Sequence, residues 1–480
     1  MAARLQHPLI WAVAAAALSA AVIAPAPSYD PWSWLLWGRE LTELSLSTEE
    51  GPAFKPLPVF VCALLTPLGG WAPEAWVVLA RAGAVLAVVL AFRLARDVVA
   101  GREPRGAASA PAAGAEAAPR GEGAADGAAP LAGRASVDFL TRGVGNSTLA
   151  WRATAAGLVA AVAVALCGGF LGYAAAGAET GWTIAFALAA IAAWRAQRFW
   201  AAVLLLAACA LLRVEAWPFL LVAGGVLWPR QRALLVACAV AVPALWFVPE
   251  WLASGDVLRS GARARVPNPG QPATEAVPAL AALREAATLI LWPLWAGVIA
   301  CVMGRAPRAR PILLAGLAWI AIVALMAQAG FSGEPRYSLP GGALVALAGA
   351  IGLAGLVRGR VAAVIAVVAL AAAAAPKLAR IDDIHREQRY QYALANDLTR
   401  VIGGDRDALL ACGRPYVGHL RGPLLAYHLH VHKRLVGFEP APPGVVFRSR
   451  LHPGSAWEPA TTGFERYRSA DRWELWVRCA

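Results

Sequence analysis

The chain has 480 residues, of which 59% are hydrophobic and 15% charged, where a soluble chain carries roughly a quarter; its mean hydropathy is +0.56. That balance excludes a soluble globular protein and a disordered chain, and it describes a polytopic α-helical membrane protein. The formal charge of +13 sits mostly in short segments between apolar blocks, where positive charge fixes topology, so no nucleic-acid partner is expected.

In chain order, a first apolar block spans 8 to 26 behind Arg4, which places the amino terminus in the cytoplasm and "SYDPWSW" outside. A signal peptide cleaved near "AVIAPAP" is an alternative that leaves the same loop outside. Residues 27–73 then form an extracytoplasmic loop. Within it, "KPLPVFVCALLTPLG" (55–69) is too short and proline-marked for a span and reads as a re-entrant or interfacial helix. The tryptophans of "DPWSWLLWGRE" have two readings, an interfacial belt or stacking against sugar faces.

The segment "EAWVVLARAGAVLAVVLAFRLAR" (74–96) returns inward, and the Ala, Gly, Pro and Arg-rich stretch 101–135 has the composition of a disordered cytoplasmic loop. Further blocks lie near 151–174, 180–194, 199–214, 216–228, 233–249, 287–303, 311–329, 338–357 and 361–376, giving about 11 transmembrane helices. The linkers "RAQR", "WPRQR", "GRAPRAR" and "VRGR" then all fall on the cytoplasmic side. Arg-rich, Ala- and Gly-rich usage points to a GC-rich bacterial genome, hence to a multi-pass protein of the bacterial cytoplasmic membrane, in contact with membrane lipids.

An odd number of spans puts the carboxyl terminus outside, where residues 377–480 read as a small extracytoplasmic α+β domain. Its opening, 376–402, has helical character, and "LVGFEP", "GVVFRSR" and "RWELWVRC" read as strands. Of seven cysteines, only Cys412 and Cys479 lie in this region; a disulfide is expected in an oxidising compartment, with two free thiols as the alternative. On a strand, His428, His430 and His432 would share one face, which a solvated polar surface explains more simply than a metal, so no metal ligands are assigned.

Asp30, Arg81, Glu179, Arg213, Glu215 and Arg336 sit at or near span ends, where charges facing lipid are expensive and usually mark a protein interior or a wet cavity. Snorkelling or structural ion pairing is the alternative for any one of them. On the topology above, Asp30, Glu179, Glu215 and Arg336 share the extracytoplasmic side.

An acid after the first span, the segment "GPAFKPLPVFVCALLTPLG", then "AGAETGWTIAFALAAIAAW", "LLRVEAWPFLLVAGGVLW" and "EPRYSLPGGALVALAGAIGL" together resemble, in order, the GT-C superfamily of integral-membrane glycosyltransferases. The resemblance covers nearly all of 1–376, so that region reads as a transmembrane catalytic module. Asp30 stands alone before Pro31, where many members carry two adjacent acids, and the pattern Leu-Arg-Pro-Glu is "LRVE" here.

The resemblance implies transfer of a sugar from a polyprenyl-phosphate carrier to an envelope glycan, lipid or protein acceptor at the outer face, with inversion at the anomeric carbon and no required cofactor. Asp30 is then the candidate general base, and its place before proline biases its backbone toward an extended conformation. Arg336 is the first candidate for the departing phosphate, with Tyr337 as a hydroxyl donor and Arg213, Arg81 and Lys55 as further cations. Glu179 and Glu215 would orient those arginines or grip sugar hydroxyls. A transferase requires the outer acids and Arg336 to converge on one cavity beneath residues 28–56. A lipid-linked sugar transporter would show charges at the midplane and internal repeats, and an envelope-assembly protein would disperse the acids.

Overall fold

Long apolar runs fold as helices because a single segment in hydrocarbon satisfies its backbone hydrogen bonds only within itself. The computed structural model describes residues 2–101 and 134–480, with side chains described over 8–101 and 149–480. The helices are Ala2–Val22 (α1), Tyr29–Thr42 (α2), Pro56–Leu65 (α3), Ala72–Val99 (α4), Arg134–Ala165 (α5), Phe170–Ala175 (α6), Thr180–Arg195 (α7) and Phe199–Leu212 (α8). They continue with Trp217–Ser254 (α9), Arg259–Ala264 (α10), Pro278–Thr288 (α11), Leu294–Val302 (α12), Arg310–Gln328 (α13), Pro335–Leu356 (α14) and Gly359–Leu378 (α15). The stretch expected as a disordered loop, 101–135, falls outside the described residues over 102–133.

Among the described residues, five helical stretches are long and apolar enough to cross a membrane, and shorter apolar helices lie at Pro8–Val22, Leu149–Ala165 and Phe199–Leu212. Glycine and proline break several expected blocks. The block 151–174 stops at Ala165, and Gly168, at φ 50°, donates its N–H to the Leu289 carbonyl at 2.9 Å. That carbonyl lies outside any helix because the block 287–303 is itself split between α11 and α12 by a turn containing Pro293. The blocks 216–228 and 233–249 are joined in α9, whose helical path is interrupted at Gln231, two residues after Pro229. Residues 55–69 hold the ten-residue α3, about 15 Å long at 1.5 Å per residue and too short to span, followed by the 3-10 turn Thr66–Trp71.

Helix α14 is the central element: every residue from Ser338 to Gly352 is buried. Between helices in lipid the hydrophobic effect gives little net attraction, so close backbone approach through small residues does the holding. A Cβ on Gly297 of α12 would stand 1.9 Å from the Gly349 carbonyl oxygen, and one on Gly352 would stand 2.0 Å from that of Gly297. Gly316 of α13 and Gly341 of α14 meet the same way, at 2.8 and 2.7 Å from each other's carbonyl oxygens. Glycine faces therefore clamp α14 between α12 and α13.

After α15 come Ile381–Ile402 (α16), Arg406–Ala411 (α17) and Gly422–Leu429 (α18), with strands Arg414–Val417 (β1), Gly444–Arg450 (β2), Trp457–Glu458 (β3), Glu465–Ala470 (β4) and Trp473–Arg478 (β5). The sheet runs β1-β2-β5-β4, with β1 parallel to β2 and the other pairs antiparallel; β3 joins the end of β2. Strands β2 and β5 occupy segments read as strands. "LVGFEP" forms only a single bridge, Gly437 to Tyr416. The histidine segment is not a strand: His428 lies in α18, His430 ends it at φ 49°, and His432 is spent on Glu40. Burial pushes the His428 imidazole down to about 4, which keeps it neutral.

Residues 29–77 and 394–477 contribute to one hydrophobic core. Trp34, Trp37, Phe54 and Trp76 pack in it with Leu394, Leu425, Phe447 and Trp473. Trp34 and Trp37 have no exposed surface, so these rings are neither an interfacial belt nor a sugar platform. Three consecutive residues pin the edge of this joint: His432 Nδ1 donates to Glu40 at 2.9 Å, Lys433 Nζ to Glu50 at 2.9 Å, and Arg434 Nη1 to Glu49 at 2.7 Å.

Cys412 and Cys479 are bonded across 67 residues of sequence. A loop of that length restricts the unfolded chain by about 4 kcal/mol in the chain-entropy description. Replacing both by serine is expected to lower the unfolding temperature of the C-terminal region by several degrees, followed by near-ultraviolet circular dichroism of its tryptophans; an unchanged midpoint would remove that contribution.

Candidate functional site

The charged residues converge where helices end. Asp30 occupies the first turn of α2, behind Ser28, whose backbone is extended (φ −84°, ψ −174°). The position before Pro31 predicts an extended Asp30; instead Tyr29, Asp30 and Pro31 are helical, because a proline in the first turn lacks only an N–H that has no intrahelical partner. Arg336 follows Pro335 at the start of α14. Its Nη1 donates to Asp30 Oδ2 at 3.0 Å, its Nε lies 2.9 Å from Glu334 Oε2, and its Nη2 donates to the Tyr337 hydroxyl at 3.4 Å.

A second group is more deeply buried. Glu179, just before α7, accepts Lys55 Nζ at 2.6 Å and faces Arg213 Nε at 3.1 Å. Lys55 caps α3 with extended backbone and carries its ammonium 5.2 Å from the Trp34 ring centre. Arg213 sits in the extended break between α8 and the 3-10 turn Val214–Ala216, and its Nη1 is 3.7 Å from Glu215 Oε1. Side chains of this group are between 4% and 11% exposed, which buried charges tolerate only when paired.

Tyr337 joins the two groups. Its ring lies 4.4 Å from the Arg213 guanidinium and 5.2 Å from that of Arg336, and Arg213 Nη2 donates to the Arg336 carbonyl at 3.4 Å. Asp30, Lys55, Glu179, Glu334, Arg336 and Tyr337 line one cavity of about 1280 Å³. Arg213 and Glu215 stand behind that lining and reach it through Glu179 and Tyr337. Arg81 is elsewhere: its guanidinium donates to the carbonyls of Ile23, Ala24 and Ala175, tying α4 to the ends of α1 and α6.

Two parts of the site escaped sequence reasoning. Glu334 was legible as the acid before Pro335 in "GEPRYSLP", yet its role depends on a contact to Arg336. Glu250 stands near the end of the apolar run forming α9 and is 1% exposed; an ionisable residue there was the available signal. It accepts Ser260 Oγ and pairs with Arg259 at 3.5 Å. Ser260 Oγ in turn accepts the Phe54 N–H at 2.8 Å, and Arg259 donates to the carbonyls of Gly51 and Pro52 at 3.1 and 2.9 Å. Glu250 thus anchors the backbone immediately before Lys55.

No group of three or more His, Cys, Asp or Glu side chains is arranged to hold a metal among the described residues. No protein-family model and no curated protein sequence matches the chain. Its structure is similar to that of ArnT from Cupriavidus metallidurans bound to undecaprenyl phosphate, with a TM-score of 0.54 over 99% of this chain and 98% of that one, at 11% identity. The likeness covers nearly the whole of both chains and shows that the two proteins share a fold.

Removing a buried acid that holds a cation leaves that cation unpaired, at a cost of about 3 kcal/mol or more. Glu250→Ala is therefore expected to lower the thermal midpoint and to speed tryptic cleavage at Arg259 and Arg263, with Glu250→Ala and Arg259→Ala costing together less than their sum. Additive costs and unchanged cleavage would show that the contact holds nothing.

Proposed function

We propose that the protein is a membrane glycosyltransferase that moves a sugar from a polyprenyl-phosphate carrier to an acceptor hydroxyl at the outer membrane face, with inversion. The observation that carries this reading is the 3.0 Å contact between Asp30 and Arg336 on the wall of one cavity, a carboxylate and a guanidinium brought together from the starts of two distant helices. The fold shared with a protein bound to undecaprenyl phosphate supports a lipid-linked donor. Convergence of the acids also speaks against the assembly-protein reading, which disperses them.

The chemistry follows from what each group can hold. The acceptor oxygen attacks the anomeric carbon as the bond from that carbon to the phosphate oxygen breaks, and the lipid phosphate leaves with the bonding electrons. Asp30 takes the acceptor proton; among the described residues only its Oδ2 is engaged by the protein, which leaves Oδ1 for the acceptor. General-base help of this kind is worth about 10²- to 10⁴-fold.

Arg336 stabilises the departing phosphate, since a guanidinium matches phosphate oxygens in a fixed fork and keeps its charge. Lys55 is a further cation on the cavity wall, and Tyr337 offers a hydroxyl. Arg213 acts through Glu179 and Tyr337, holding both in place, while Glu215 balances Arg213. Arg81, committed to backbone carbonyls, keeps the helix ends together. In this reading the amino terminus is cytoplasmic, and the cavity and residues 377–480 face outward.

The test is transfer from a panel of labelled polyprenyl-phosphate sugars by purified protein in lipid nanodiscs. Wild-type protein is expected to use at least one donor, and an equally well-folded Asp30→Asn variant to lose at least about 10²-fold in kcat. Arg336→Lys, which keeps the charge but not the fork, is expected to lose activity as well. Equal turnover by wild type and Asp30→Asn would remove Asp30 as base, and absence of turnover with every competent donor and acceptor would overturn the transferase reading.

A further inference from the structure

The cavity exceeds the roughly 300–1000 Å³ of ordinary small-molecule sites, at about 1280 Å³, so it has room for a second reactant beside the donor headgroup. Its wall is chemically divided. One part consists of the charged helix ends already described. Another is contributed by the C-terminal region: Asp383, Glu387 and Gln388 of α16, the turn carrying His419 and Leu420, and Phe438.

This second part is built as a platform. The His419 imidazole stacks on the Phe438 ring with centroids 5.8 Å apart and planes 14° apart. Lys433 Nζ lies 4.4 Å from the Phe438 ring centre and is itself fixed by Glu50. Leu420 is 50% exposed and has φ 61°, a left-handed backbone that a residue with a Cβ adopts only where its surroundings enforce it, commonly at a ligand clamp. Two residues earlier the same turn is confined at Gly418, where an added Cβ would stand 2.9 Å from Glu458 of β3. The exposed His419 ring on a constrained turn, backed by the half-buried Phe438 and sharing a cavity wall with the Asp383 and Glu387 carboxylates, which also hold Arg386 and His452, has the composition of a sugar-binding site: a ring packs on the C–H face of a pyranose or furanose, and carboxylate oxygens accept its hydroxyl protons.

Resting on the transferase reading above, we propose that His419 and Phe438 form the acceptor subsite, and that the acceptor is a glycan whose ring stacks on this pair. A bare peptide acceptor has no hydroxyl-bearing saturated ring to match the platform.

Two measurements on the full chain in nanodiscs test this. Saturation-transfer NMR with a mixture of methyl hexosides and pentosides is expected to show transfer to sugar ring protons, reduced at least about fivefold in His419→Ala and retained in His419→Tyr, which keeps an aromatic face. In the transfer assay His419→Ala is expected to raise the acceptor KM roughly tenfold while moving the donor KM by less than about twofold. His419 is exposed, so its substitution leaves the fold intact, whereas Phe438→Ala also removes a partner of Lys433. Equal saturation in wild type and His419→Ala, an unchanged acceptor KM, or saturation of a peptide in place of the glycosides would each overturn the proposal. Sugar contact that depends on His419 in a protein that transfers from no donor would leave the platform standing and remove the transferase reading.

Discussion

The Arg336 guanidinium is the constraint around which the site is arranged. It starts the most deeply buried of the five long apolar helical stretches among the described residues, yet it engages Asp30 from α2, Glu334 from its own approach and the Tyr337 hydroxyl. A cation at that position is tolerable because carboxylates surround it, and those carboxylates are tolerable because it is there. Any shift of α2 relative to α14 breaks this mutual neutralisation. In the proposed reaction the same group serves both partners: it orients the base, and it offers its remaining geometry to the leaving phosphate.

Such a contact needs helix ends that do not wander. The glycine faces of α12, α13 and α14 approach so closely that no side chain fits between them, and this fixes where α14 begins. From the other direction Glu250 holds Arg259 and Ser260, and through them the backbone leading into Lys55. The cavity is therefore bounded by two kinds of rigidity, apolar contact within the bundle and a chain of buried hydrogen bonds at its rim.

How much of this was legible in sequence depended on the length scale of the signal. Membrane character and a fold shared with the undecaprenyl-phosphate-bound protein were, because composition and ordered short patterns are properties of whole segments. Residues such as Asp30, Glu179 and Arg336 stood out because an ionisable group beside an apolar run has few innocent explanations. Helix interruptions were not: Gly168 and Pro293 break blocks that read as continuous, and a hydrogen bond from the Gly168 N–H to the Leu289 carbonyl joins the two broken stretches. The tryptophans after Asp30 were misread because a window of sequence cannot reveal a core whose other half lies some 350 to 440 residues later. Glu250 escaped for a similar reason, since its partners become meaningful only once α10 folds back on residues 49–54.

The joint core has a consequence for biosynthesis. Residues 29–77 supply Trp34, Trp37, Phe54 and Trp76 to a core completed by Trp473 and Leu475, so the first segment is finished long before its partner exists. At translation rates of about 5–20 residues per second, the intervening chain takes roughly 20–80 s to make. Throughout that time several large apolar rings await burial, and the native arrangement can form only when the last strand arrives. The carboxyl-terminal residues thus act as the closing step of assembly, and a ribosome that stops short leaves behind a membrane-inserted chain with its aromatic core open.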